Sequence, residues 1–276
     1  MPRMSPFDYL AIGHFARDLT PSGVVTGGTV AYAGATAAVL GCRTAILTSY
    51  APDFTPDIGP AEVTIECLPA SETTTFTNIY RQGARTQFIH GRARHLAAEH
   101  VPPGWARTPV VHLAPIAGEV DPLLVTYFAN SLVGLTPQGW LRKWDAQGRV
   151  HPSDWNEARD VMPLAAAVVL SDEDLADRDW LPQFRKWARL LVLTHGAAGC
   201  TIFMGDESRL VPAPEVPELN PTGAGDVFAA AFFVRLFQTK GNPWEAAQFA
   251  NSIAAQSVSE LDLPSKIRRL AQIRQE

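Results

Sequence analysis

The stretch Asn220-Pro-Thr-Gly-Ala-Gly-Asp226 runs straight into Val-Phe-Ala-Ala-Ala-Phe-Phe-Val-Arg-Leu236. A glycine-rich turn is thereby joined to an apolar helix. The first turn of a helix has backbone N–H groups without intrahelical partners, and glycines let a ligand come close to them. The helix N-terminus also carries a partial positive charge, so the segment reads as an anion cradle. Asp226 sits at the same helix start. A carboxylate there can take a proton from an attacking hydroxyl while the N–H groups stabilise charge on a phosphoryl group in transfer. In an isolated segment, the same aspartate could be an ordinary N-terminal capping residue. The rest of the chain has to decide between these readings.

Upstream, Phe7 to Gly13 reads as a buried strand. Gly27-Gly28 opens an Ala-rich helix from Thr29 to Leu40, stopped by Gly41, and Thr44 to Ser49 is a second strand. Val110 to Leu113, Leu132 to Leu135, Ala166 to Leu170 and Leu190 to Thr194 are continuous apolar runs of strand length. Helical candidates lie between them at Asp121 to Asn130 and at Asp172 to Trp187, the latter broken by Pro182. Such β–α alternation predicts an α/β fold with a mostly parallel sheet covered on both faces. Cys200 to Met204 and Ser208 to Val211 read as an antiparallel pair turning at Gly205-Asp206, and the chain from Gly223 onward reads as helical.

Residues 62 to 95 differ in texture. Val63 to Leu68, Thr74 to Tyr80 and Thr86 to His90 are rich in β-branched and aromatic residues, with Arg81 to Arg85 as a hairpin loop. This predicts a small β-rich lid inserted into one domain spanning residues 1–276. An exposed edge of such a lid would suit pairing into a homodimer.

Composition narrows the function classes. The 276 residues carry a net charge of −5, which argues against a nucleic-acid partner. Cys42, Cys67 and Cys200 are too few and too far apart for a disulfide framework or a zinc site. His90, His95, His112 and His195 lack metal-ligand spacing and read as structural or pocket-lining. There is no secretory leader pattern and no apolar run of about 18 residues, so the sequence predicts a soluble, cytoplasmic protein with no membrane partner. Trp140 and Trp144, four apart, read as packing residues on one helical face.

Several segments in the right order resemble the ribokinase-like (PfkB) carbohydrate kinases. Thr222-Gly-Ala-Gly-Asp226 is similar to the family's C-terminal signature. Gly27-Gly-Thr-Val-Ala-Tyr32 resembles its di-glycine substrate motif, and Gly13-His-Phe-Ala-Arg-Asp18 its strand end with a hydroxyl-binding aspartate. Ser171-Asp-Glu-Asp174 stands where the family has an N-x-x-E metal and phosphate motif. Leu193-Thr-His-Gly-Ala-Ala-Gly-Cys200 resembles its nucleotide-binding loop, and Ala250-Asn-Ser-Ile-Ala254 the helix bordering adenine. Gly13–Asp18, Thr136-Pro-Gln-Gly-Trp-Leu-Arg-Lys-Trp144 and Leu170-Ser-Asp-Glu resemble the branch that includes plant-type myo-inositol kinases.

The resemblance implies an enzyme that transfers phosphate from ATP, with Mg²⁺, to a hydroxyl of a small sugar or polyol. Asp226 would be the base, and Gly223, Ala224 and Gly225 the catalytic cradle. Thr222, Ser171, Thr194, His195, Gly196, Gly199 and Asn251 would bind the nucleotide. Asp18, Gly27, Gly28 and Tyr32 would bind the acceptor, and Asp174 with Glu173 the metal. The chain departs from the family at four positions. Asn220 replaces an acid that helps bind an activating monovalent cation, which argues against potassium dependence. Ser171 and Asp174 replace Asn and Glu. Tyr32 stands in place of an asparagine and cannot donate and accept as a carboxamide does, which argues against a ribose pocket. Two rival readings stay open: a nucleoside kinase, with Tyr32, Phe76 or Phe88 stacking on a base, and a non-catalytic sugar- or nucleotide-binding regulator on the same scaffold.

Overall fold

The structure is a computed structural model that describes residues 5–21, 23–81, 84–175 and 179–273. In chain order the strands are β1 (Tyr9–Ile12), β2 (Ala16–Thr20), β3 (Gly23–Gly27), β4 (Thr44–Tyr50), β5 (Val63–Pro69), β6 (Thr75–Arg81), β7 (Ala84–Gly91) and β8 (Val110–Leu113). They continue as β9 (Leu132–Leu135), β10 (Arg142–Trp144), β11 (Val150–Pro152), β12 (Ala167–Ser171), β13 (Leu191–Thr194), β14 (Cys200–Met204) and β15 (Glu207–Val211). The helices are α1 (Thr29–Val39), α2 (Leu124–Tyr127), α3 (Ala158–Val161), α4 (Asp172–Leu175), α5 (Leu181–Trp187), α6 (Ala224–Gln238), α7 (Pro243–Val258) and α8 (Leu263–Ile273).

Nine strands form the main sheet in the order β15-β14-β13-β12-β9-β8-β1-β4-β5. Only β14 and β15 run antiparallel to their neighbours, at the edge that the sequence marks with Gly205-Asp206. The continuous apolar runs follow from burial on both faces. Tyr9, Ala11, Val169 and Val192 face a core built with α1, α6, α7 and α8. Leu10, Ile12, Val168, Leu170 and Leu191 face a second core with α2, α3 and α5. Alternate residues of one strand thus serve two helical layers. At β9, Gly134 lies so close to the Phe233 ring of α6 that no side chain fits there.

The lid is a second sheet of four strands, β3-β2-β6-β7. Its boundaries correct the sequence reading. Val63–Pro69 is not part of it: β5 pairs in parallel with β4 at the edge of the main sheet. Two strands from further upstream, β2 and β3, complete the lid instead. The reason is long-range: β2 pairs in parallel with β6 across more than fifty residues, Asp18 opposite Phe76, a contact that no local pattern announces. Gln82 and Gly83, in the expected hairpin loop, lie outside the described residues.

Three smaller expectations also change. Of Asp121 to Asn130 only α2 is helical. Pro182 opens α5 instead of breaking a longer helix, since the first turn needs no N–H from it. Trp140 and Trp144 do not share a helical face: Trp140 lies in a short 3₁₀ turn, Pro137–Leu141, and stacks on Trp155 at 4.7 Å, whereas Trp144 lies on β10 beneath Arg92. The remaining histidines expected to be structural include His112, buried between the Tyr9 hydroxyl (2.7 Å) and Thr136 (2.8 Å), where burial pulls its pKa down to about 3. No helix among the described residues is long and apolar enough to cross a membrane.

Candidate active site

The parallel strands β1, β12 and β13 all end at one edge of the main sheet, where open α/β sheets bind ligands. Two helix starts meet above that edge. Gly28 precedes α1 with φ 92°, and its Cα lies against the backbone of His14 to Ala16, so a side chain would collide with the chain end of β1. Gly223 precedes α6 with φ 78°, and the Tyr32 ring fills the space beside its Cα. Both helix starts therefore need glycine, for conformation and for room. Tyr32 is buried one turn into α1, and burial together with Asp226 and Asp18 raises its hydroxyl pKa.

Asp226 stands in the first turn of α6 and accepts a hydrogen bond from the hydroxyl of Thr29, the first residue of α1. Its carboxyl pKa is pushed up to about 6. Burial is the main cause; the Thr29 bond opposes it, Asp174 and Asp18 add to it, and the Arg142 guanidinium opposes it. Asp18 projects from β2 on the lid face that also carries Phe76, Asn78 and Gln87, and its carboxylate rests against Gly27. On this face the carboxamide of Gln87 donates to that of Asn78 at 3.0 Å. The structure thus brings Asp18, Gly27, Gly28, Tyr32, Gly223 and Asp226 to one place.

Other expected residues are placed differently. The backbone N–H of Thr222 donates to the Asn220 side chain at 2.9 Å, and that of Ala224 to the Pro221 carbonyl at 3.0 Å. Both amides are therefore used within the turn, while the space around Gly225 is open. Asp174 accepts from the N–H and the hydroxyl of Ser171, each at 3.0 Å, and tethers that residue at the start of α4. Glu173 points to solvent on the same turn. Among the described residues no group of three or more metal-ligating side chains comes together. A magnesium ion would therefore have Asp174 and Asp226 as carboxylates acting through water, with the donor phosphates completing its shell, which suits an ion that keeps its waters.

Among the residues expected to bind the nucleotide, Thr194 donates to the Leu170 carbonyl at 3.2 Å. His195 is held between Asp172 (2.7 Å) and Thr201 (2.8 Å). Gly196 borders open space, and Gly199 packs on the Val211 carbonyl. Asn251 is a correction: it is buried behind this loop, and its amide donates to the carbonyls of Val211 (2.9 Å) and Pro212 (3.3 Å), so it braces the wall instead of facing a ligand. Cys200 is buried beneath it with its thiol pKa raised to about 12, which keeps the thiol neutral. Near the lid, Arg92 donates to the Gly118 carbonyl at 2.6 Å; the side chains of Arg81 and Arg85, in the expected hairpin loop, lie outside the described residues.

The sequence reading missed Thr29, Arg142 and Gln138, which donates to Asp174 at 3.4 Å. Thr29 adjoins the di-glycine, and the other two lie in the quoted stretch from Thr136 to Trp144, so position was the available signal. A crevice of about 420 Å³ near Arg17, Asp53, Glu72 and His90 opens on the other side of β2, since Arg17 alternates with Asp18, and belongs to none of this chemistry.

A nine-stranded, mostly parallel sheet with a four-stranded lid is the fold shared by solved structures of the ribokinase family. Residues 165–265 match the family model described as pfkB family carbohydrate kinase, so the family's match lies in the C-terminal part and its fold in the whole chain. Solved structures with this fold include a pyrophosphate-dependent kinase in the ribokinase family in complex with sulfate, at TM-score 0.79 and 19% identity, covering 95% of this chain and 99% of the other. The same class of kinase with a pyrophosphate analog and myo-inositol matches at TM-score 0.77 and 19% identity, over 96% and 99%. In sequence, the chain is 31% identical to inositol 3-kinase of Zea mays over 54% of this chain and 40% of that protein. It is 36% identical to a putative sugar kinase of Pyrococcus horikoshii over 35% and 32%. The chain thus spans well under half the length of these relatives in matched sequence.

Proposed function

We propose that this chain phosphorylates a hydroxyl of a small sugar or polyol, with ATP as donor and an inositol or hexose as acceptor. The observation that carries the reading is Asp226: a carboxylate with pKa about 6, held by Thr29 at the start of α6 and facing the lid aspartate Asp18 across the two glycine-headed helix starts. Asp18 and the Asn78–Gln87 pair orient the acceptor by its hydroxyls. Asp226 takes the proton as the oxygen attacks, and the amides at the head of α6 stabilise charge on the transferred phosphoryl group. Magnesium would supply further charge neutralisation between the donor phosphates, with Asp174 and Asp226 as its nearest carboxylates. The lid covers the acceptor and keeps water from competing for the phosphoryl group.

Pyrophosphate is the second donor reading. It is favoured by the commitment of the Asn251 amide to Val211 and Pro212, which withdraws one expected contact to adenine. The β3 edge of the lid, where Val24 and Val25 are exposed, would be the surface for homodimer pairing. The cytoplasm is the compartment that suits three free thiols.

The test is phosphate transfer from ATP or pyrophosphate, with magnesium, to a panel of inositols, hexoses and nucleosides, with Asp226→Asn as control. Turnover with inositols or hexoses that the variant lacks is the expected result. Turnover confined to nucleosides would replace the acceptor assignment. Binding without turnover would make the chain a ligand-binding regulator.

A further inference from the structure

One buried cation is unused by this chemistry. Lys266, in α8, is completely buried, and its ammonium donates to the carbonyls of Asn220 (2.6 Å) and Ser257 (2.9 Å). Burial lowers its pKa to about 8, with Glu260, Asp262 and Glu218 opposing, so it is protonated at neutral pH. Both acceptors matter. Ser257 lies in the last turn of α7, where the helix end is partly negative, and its carbonyl also accepts from the Glu260 N–H at 3.3 Å. Asn220 begins the turn that ends in Gly223 and Asp226.

Asn220 itself is fully engaged. Its side-chain oxygen accepts from the Thr222 N–H at 2.9 Å, its amide donates to the Leu261 carbonyl at 2.6 Å, and its backbone N–H donates to Val258 at 3.1 Å. The family resemblance places a monovalent-cation ligand at this position, and the residues present do not fit one. A bare cation needs several carbonyl or carboxylate oxygens in place of its water shell. Here the position is a neutral carboxamide committed at both ends, and two carbonyls beside it are already held by an ammonium.

We infer that Lys266 is a positioning residue that acts as a tethered cation: it ties the end of α7 to the cradle turn, so that the turn is set without an added monovalent ion. The inference rests on the anion-cradle reading of the turn, and its test reads anion binding and stability without requiring turnover.

The experiment compares the wild type with Lys266→Ser, which leaves room for an ion, and Lys266→Met, which fills the space without charge. Pyrophosphate affinity and thermal midpoint are measured in tetramethylammonium, sodium, potassium and ammonium chloride at equal ionic strength. The wild type is expected to vary by less than about twofold in affinity across the four salts. Lys266→Ser should bind about tenfold or more weakly in tetramethylammonium and recover in potassium or ammonium, with its midpoint rising in those salts alone; Lys266→Met should stay weak in all. A wild type whose affinity or midpoint rises severalfold or by several degrees in potassium overturns the inference. So does a Lys266→Ser protein indistinguishable from wild type in tetramethylammonium. If the wild type binds no pyrophosphate in any salt, the pyrophosphate-donor reading fails and ATP stays as the donor to test. The salt dependence of the midpoints then decides the role of Lys266 separately, and the wild-type series decides it even where a variant does not fold.

Discussion

The Tyr32 ring occupies the space that any side chain on Gly223 would need. Two helix starts nearly two hundred residues apart in sequence are thereby locked together, and the contact sits directly beside Asp226. Gly223 also holds φ 78°, where an alanine is strained. Gly223→Ala is expected to cost about 1–3 kcal/mol of stability and at least tenfold in turnover. Pairing it with Tyr32→Ala should return part of the stability, because the steric conflict goes while the backbone strain stays. Urea denaturation of the two single variants and the double variant measures this.

The raised pKa of Asp226 sets a pH dependence. If Asp226 is the base as proposed, it must be ionised, so kcat/KM should rise about tenfold per pH unit below 6 and level off above it. Asp226→Asn should remove about 10²–10⁴-fold of the rate at pH 7.5. Stability moves the opposite way. The folded pKa of about 6 lies above the unfolded value of 3.8. Well below pH 3.8 the group is protonated in both states and costs nothing. As pH rises through 6 the folded state must carry a charge on a partly buried, desolvated carboxyl, and stability is lost. Asp226→Asn should therefore be more stable than wild type at pH 7, by about 1–2 kcal/mol, and about equal at pH 3.5. Thermal melts at the two pH values check the sign.

Glu119 is completely buried and accepts from the backbone N–H groups of His14 (3.0 Å), Ile116 (3.0 Å) and Ala117 (2.7 Å). It fixes the chain just after β1, on which Gly28 rests. Glu119→Gln turns part of the acceptor into an N–H donor facing N–H donors. It should destabilise by about 2–4 kcal/mol, read as a lower urea midpoint with unchanged slope.

Asp18 and Asn78 share the lid face turned to the site. Asp18→Asn should raise the acceptor KM about tenfold or more and leave the affinity for pyrophosphate unchanged. Asn78→Leu also breaks the bond from Gln87 and should change the ranking of acceptors more than the rate with the best one. Steady-state kinetics across an inositol and hexose panel separates the two effects.

The sequence by itself determined the α/β class, the sequential parts of the sheet and the cradle. Apolar strand runs, the di-glycine helix start and the turn before Asp226 are local signals, set by backbone geometry and by which residues can tolerate burial on both faces. Tertiary structure alone decided the lid. The apolar alternation of Val63–Pro69 suits either sheet, and only its pairing with β4 chooses, while β2 and β3 join β6 across the intervening α1, β4 and β5. It also decided the pKa of Asp226, which depends on Thr29, Asp174, Asp18 and Arg142 arriving from four separate segments. Lys266 is the sharpest case. In Leu263-Pro-Ser-Lys-Ile-Arg-Arg-Leu270 nothing distinguishes it from the neighbouring cations. Burial and two carbonyls from other segments make it an internal ion, and such a site exists only once α7, α8 and the cradle turn have packed together.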